Sequence, residues 1–109
     1  MTFTLFHNRN CSKSRECLKI LHANKVKLSV REYIKQPLSE NELKHIVNNL
    51  EGDLSNLVRR NNDEENLFSS KNKLVKYLLI NQKYLQRPIF FNKKKYIICR
   101  PPDLVINYL

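Results

Sequence analysis

The chain has 109 residues, 41% apolar and 28% charged, with a formal net charge of +10, a balance that suits one globular domain with a modest core. No apolar run approaches the ~20 residues needed to cross a bilayer, and no charged segment leads into an apolar one as in a secretory signal, so a cytoplasmic protein without membrane contact is expected. The positive charge favours anionic partners, but it is spread along the chain with one short cluster at Lys93-Lys94-Lys95 and no nucleic-acid motif, so no specific nucleic acid is expected.

Residues 2–6 alternate weakly and read as a first strand. The loop His7-Asn8-Arg9-Asn10 follows, and then Cys11 stands where a helix over 12–24 begins, with Leu18 and Leu21 facing inward. Leu28 and Val30 alternate with polar residues, giving a second strand up to about Tyr33. After Pro37, Ser39-Glu40-Asn41-Glu42 matches the S-x-x-E capping box of a helix carrying Leu43, Ile46, Val47 and Leu50. Gly52, the only glycine, suits a left-handed cap at the end of that helix. Asp53 can cap a short helix through Leu54, Leu57 and Val58. Residues 61–66 are a polar loop, and a further helix is expected near 72–82. Arg87-Pro88 breaks the pattern before a third strand at Ile89-Phe90-Phe91. Asn92-Lys93-Lys94 turns the chain into a fourth strand at Tyr96-Ile97-Ile98-Cys99, antiparallel to the third. Pro101-Pro102-Asp103 opens a last short helix.

The order β-α-β, helical insertion over about 39–83, β-β-α is that of an α/β, thioredoxin-like domain spanning 1–109, a mixed four-stranded sheet flanked by helices. In that fold the X-Pro bond before the third strand is commonly cis and faces the cysteine loop.

The chemistry concentrates at Cys11. A thiol at a helix start meets the unpaired N–H groups of the first turn and the positive end of the helix dipole, and both favour the nucleophilic thiolate. Arg15, one helical turn on, either adds its charge to that field or pairs with a surface carboxylate. His7 either orients the thiolate or simply ends the first strand. The Ser14 hydroxyl either donates to the sulfur or bonds its own backbone. The other two cysteines, Cys17 and Cys99, read as small hydrophobes, though a disulfide from Cys11 to either is an open alternative. Ser14 stands where a C-x-x-C motif would have its second cysteine, so a dithiol redox pair is absent from the loop. His7, His22 and His45 lack metal-ligand spacing, and no bound metal or cofactor is expected.

His7-x3-Cys11-x3-Arg15, together with Arg87-Pro88-Ile89 and Cys99-Arg100-Pro101-Pro102, resembles the glutaredoxin-linked arsenate reductase family over essentially the whole chain, most of all its short members lacking a C-terminal extension. The resemblance implies that Cys11 attacks arsenate to form a thiol–arsenate adduct. It implies oxyanion-binding arginines at Arg59 (or its neighbour Arg60), Arg87 and Arg100. It also implies that glutathione and glutaredoxin act as external reductants, attacking the adduct and resolving the mixed disulfide as arsenite leaves. A monomer is expected. Two other functions stay open. One is an Spx-like regulator that binds RNA polymerase, although Ser14 removes the C-x-x-C switch of such proteins. The other is a thiol reductase of another substrate on the same scaffold.

Overall fold

The structure, a computed structural model, describes residues 2–59 and 67–109. Arg60 and the expected polar loop at 61–66 lie outside the described residues. The strands are β1 (Phe3–His7), β2 (Leu28–Glu32), β3 (Ile89–Phe91) and β4 (Tyr96–Ile98), and the α-helices are α1 (Ser12–Ala23), α2 (Glu40–Asn48) and α3 (Lys71–Ile80). Short 3₁₀ turns cover Leu54–Leu57, Leu67–Ser69, Gln82–Tyr84 and Pro102–Tyr108. The sheet order is β2-β1-β3-β4. β1 runs parallel to β2 through the α1 crossover and antiparallel to β3, which pairs antiparallel with β4. This is the thioredoxin-like arrangement.

Alternation along the central strands divides the core in two. Leu5 and Phe90 point to one face, where Cys17 and Leu21 of α1, Ile97, Cys99 and Val105 cover them. Phe6, Ile89 and Phe91 point to the other, packing against Leu43, Ile46 and Val47 of α2 and Leu74, Val75 and Leu78 of α3. Each such fully buried aliphatic or aromatic side chain contributes about 1.5–3 kcal/mol of burial free energy. Side chains in β1 therefore have fixed faces, and this central strand delivers its last residue, His7, to the end of the sheet where the cysteine loop starts.

The capping signals locate the helices well. Ser39 Oγ accepts from the Glu42 N–H while the Glu42 carboxylate accepts from the Ser39 N–H, completing the capping box. Asp53 caps the turn at Leu54–Leu57. Three expectations change. Leu50 is not in α2: the helix ends at Asn48, and Leu50 forms a parallel bridge to Tyr96, secured by Tyr96 N–H donating to Asn49 O at 3.0 Å and Glu51 N–H to Tyr96 O at 2.8 Å. Gly52 (φ +104°) therefore serves the following turn rather than capping α2. β2 does not bury an alternating face, because it is an edge strand and Val30 is 40% exposed. Arg87-Pro88 is cis, and so is Arg100-Pro101.

Candidate active site: a helix-start thiol beside Arg87 and Arg59

Cys11 is the N-cap residue of α1, in extended conformation (φ −102°, ψ 122°), so its side chain projects over the first turn. The loop that brings it there is locally closed. Asn8 Oδ1 accepts from the Asn10 N–H at 2.9 Å, Asn8 O accepts from the Cys11 N–H at 3.0 Å, and Cys11 O accepts from the Arg15 N–H at 3.0 Å. Burial of the partly exposed thiol pushes its pKa up. The backbone N–H groups of Ser14 and Lys13, and the adjacent Arg87 guanidinium, outweigh that and leave the thiol below its ordinary value.

The cation that lowers the thiol in this way is Arg87, brought from the far end of the chain. Arg15 Nη1 donates to the Arg9 carbonyl at 2.9 Å and closes the loop. Its charge bears instead on His7, whose ring is held below the ordinary histidine value by burial first, with Arg9 and Arg15 adding to it against Glu32. Ser14 follows neither expected course. Its hydroxyl, fully buried, meets His7 Nδ1 at 2.7 Å and accepts from the Asn8 N–H at 3.1 Å, while its backbone N–H serves the sulfur. His7 is buried, and its ring meets the hydroxyl of the residue whose backbone N–H serves the sulfur. His7 and Ser14 together brace the loop under Cys11. Arg9 is tied to Glu32 by a two-pronged ion pair at 2.7 and 2.9 Å.

The three arginines come together because two segments pair. Arg59 N–H donates to Tyr84 O and Gln86 N–H to Leu57 O, each at 2.8 Å, around the antiparallel bridge Val58–Leu85. This register sets Arg59 alongside the stretch that ends in Arg87. Arg87 Nη1 donates to Lys83 O at 3.1 Å, whereas its Nε is buried without a hydrogen-bond partner. Arg100 Nη1 donates to Arg87 O at 2.8 Å and approaches Gln86 Oε1 at 3.4 Å, fixing the Arg87 backbone. Among the described residues none of the three pairs with a carboxylate. Arg59 is accordingly destabilised as a cation by burial and by the charges of Arg87 and Arg100, and Cys11 works in the opposite sense. An open cavity of about 330 Å³ lies beside Arg59 and Arg87, lined by them with Asn8, Lys83 and Tyr84, whereas Arg100 lines a separate cavity of about 430 Å³ with Glu51, Asp53 and Gln86.

Tyr33, next after β2, also reaches this site, and the sequence reading passed over it as a strand end. It is fully buried, and its hydroxyl donates to Leu85 O at 3.3 Å. Burial raises its pKa, while Arg87 and Arg59 pull it down and Cys11 pushes it up. Cys17 and Cys99 are both buried, away from the solvent side of the pocket. The hydrogen bond with Cys17 and burial hold the Cys99 thiol far above its usual range, so it is inert as a nucleophile. All three cysteines are free. Among the described residues no cluster of histidine, cysteine and carboxylate side chains could hold a metal ion.

The β1–α1 unit of this thioredoxin-like fold thus carries a cysteine at the first helical turn, with the Arg87 and Arg59 guanidinium groups near it and no carboxylate paired to either among the described residues. The chain belongs to the ArsC family, whose model matches residues 6–107. It is 33% identical over 116 aligned positions to the arsenate reductase of Haemophilus influenzae, the match covering the whole of both chains. An arsenate reductase of Escherichia coli is 26% identical, with 97% of this chain and 79% of that protein covered. The solved structure of an arsenate reductase from Vibrio cholerae superposes with a TM-score of 0.83 at 27% identity, covering 100% of this chain and 98% of that one.

Proposed function

We propose that the protein reduces arsenate to arsenite, using glutathione and glutaredoxin as external reductants. The observation that carries the reading is the Cys11 thiol, held below its ordinary value, with Arg87 and Arg59 near it and no carboxylate paired to either among the described residues. Arsenate is a tetrahedral oxyanion, and guanidinium groups bind such anions through charge-assisted, often paired, hydrogen bonds. The helix start adds backbone donors to the same side of the pocket.

In this reading Arg59, Arg87 and Arg100 hold the arsenate oxygens. The Cys11 thiolate attacks arsenic, and an oxygen leaves as water, forming the S–As(V) bond. The cations offset the repulsion between thiolate and anion and stabilise charge that builds up in the transition state. The glutathione thiolate then attacks the Cys11 sulfur. The S–As bond breaks with its electron pair passing to arsenic, which leaves as As(III) in arsenite, and a Cys11–glutathione mixed disulfide remains. Glutaredoxin reduces that disulfide and returns Cys11 to the thiolate. Neither Cys17 nor Cys99 takes part, because both are buried and Cys99 stays protonated.

Omitting glutaredoxin tests the order of these steps. Protein incubated with arsenate and glutathione should accumulate glutathione on Cys11, located by peptide mass spectrometry, with about one arsenite released per chain. Cys11 left unmodified, with arsenite still forming at the full rate, would contradict the proposal.

A further inference from the structure

The cavity beside Arg59 and Arg87 has a further cation in its wall, Lys83, which none of the steps above uses. It belongs to the short turn Gln82–Tyr84, and both its main chain and its side chain are placed by contacts. The Lys83 carbonyl accepts from Arg87 Nη1 at 3.1 Å, which keeps the turn against the arginine. The ammonium stands 5.2 Å from the centroid of the Tyr84 ring, and Tyr84 lines the same cavity. That ring is braced in turn: it stacks on Tyr77 with centroids 6.4 Å apart, and Tyr84 O accepts from the Arg59 N–H at 2.8 Å. A ring face attracts an ammonium but, unlike a carboxylate, leaves its charge uncancelled. Among the described residues no aspartate or glutamate lines this cavity, and Lys83 makes no ion pair. Lys83, Arg59 and Arg87 thus share one open cavity whose described lining offers no opposite charge, and their mutual repulsion is relieved when an anion enters.

We propose that Lys83 is a further binding residue for the tetrahedral oxyanion, its exposed ammonium meeting the anion in the cavity that Arg59 and Arg87 line. The two kinds of cation suit different parts of the task. Arg87 is held by its hydrogen bond to Lys83 O and offers a planar fork in a set direction. Lysine is a compact charge on a flexible stem, so it follows an anion whose shape changes as sulfur adds and an oxygen leaves. Lys35 supplies the comparison. It is also exposed, but it lines a different cavity on the cysteine loop, with His7, Asn8 and Arg9.

The inference rests on the anion pocket of the proposed function, but its first readout needs no arsenate. Inorganic phosphate is a tetrahedral oxyanion that the thiol does not reduce. In a Cys17→Ser/Cys99→Ser background at constant ionic strength, phosphate should slow the alkylation of Cys11 by neutral iodoacetamide, and the concentration giving half protection reports binding. Lys83→Gln, which keeps the main-chain contact to Arg87, should raise that concentration about threefold, the scale of an exposed charge pair. Lys83→Glu should raise it further, Lys83→Arg should restore most of the binding, and Lys35→Gln should leave it unchanged. In turnover, Lys83→Gln should raise KM for arsenate by a similar factor and leave KM for glutathione as it was. Half protection unmoved by both Lys83→Gln and Lys83→Glu overturns the proposal, and so does an equal loss in Lys35→Gln, which would show a general effect of charge. Should phosphate fail to protect the parent thiol, KM for arsenate decides, and an unchanged KM in Lys83→Gln overturns the role. Neither protection nor turnover in the parent overturns the role and the arsenate reading together. Phosphate bound through Lys83 in a protein that never reduces arsenate leaves the role of Lys83 standing and removes the arsenate reading alone.

Discussion

Replacing Arg87 by alanine removes the group on which the thiol and the anion pocket both depend. Its guanidinium stabilises the Cys11 thiolate by hydrogen bond and charge, and its buried Nε–H has no hydrogen-bond partner. Loss of one hydrogen bond to a charged group costs about 1.5–3 kcal/mol. Applied to a single contact with the arsenate oxygens, that is roughly a ten- to hundredfold loss in kcat/KM. The thiol should rise as well, and each unit of rise is ~1.4 kcal/mol of lost preference for thiolate. Arg87→Ala should therefore lower kcat/KM at neutral pH and move the acid limb of the pH profile upward, since thiolate then forms only at higher pH. Arg87→Lys should recover part of the loss, because it restores charge without the planar fork. Activity is read by NADPH oxidation coupled through glutaredoxin, glutathione and glutathione reductase, with Tm as the control for folding. Cys11 must still react with iodoacetamide at high pH. A folded Arg87→Ala protein that reduces arsenate at the parent rate refutes the oxyanion-pocket mechanism.

Cys11→Ser should abolish arsenate reduction, whereas Cys17→Ser and Cys99→Ser should retain most of it; loss in a folded Cys17→Ser protein would show a second thiol in the cycle. Arg59→Ala should raise KM for arsenate about tenfold or more, and an unchanged KM would remove Arg59 from the pocket. His7 is buried and its pKa lies below the ordinary value, so unfolding takes up a proton that the folded ring refuses. Its effect on stability should be absent above about pH 6.5 and should grow as pH falls from there toward the lower folded value. Urea midpoints for the parent should fall over this interval, and those of His7→Gln should fall less; parallel curves would rule out His7 as the cause.

What was legible in the sequence was mostly local. The Ser39–Glu42 capping box, the α1 start at Cys11 and the Arg87-Pro88 break all depend on residues within one turn of one another, and the fold class followed from their order. What the sequence hid depends on contacts between distant segments. Leu50 has helical spacing, yet its pairing with Tyr96 takes it out of α2. Arg15 sits one turn from Cys11 but closes the loop through the Arg9 carbonyl, and the cation beside the sulfur is 76 positions away at Arg87. Tyr33 looked like the end of an alternating strand, when β2 is an exposed edge and the buried residue is the one that follows it. No local pattern marks a phenol whose partner, Leu85 O, lies 52 positions away in the segment that pairs with residues 57–59.

The central claim is that Cys11 carries electrons from glutathione to arsenate, and the coupled assay tests it in one experiment. With arsenate, glutathione, glutaredoxin, glutathione reductase and this protein together, NADPH should be consumed in proportion to the protein added. Consumption should fall to the blank when any one of them is left out or when Cys11→Ser replaces the parent. NADPH consumption no faster than the blank, from a protein whose Cys11 is alkylated normally, would contradict the account and leave an activated thiol with another substrate.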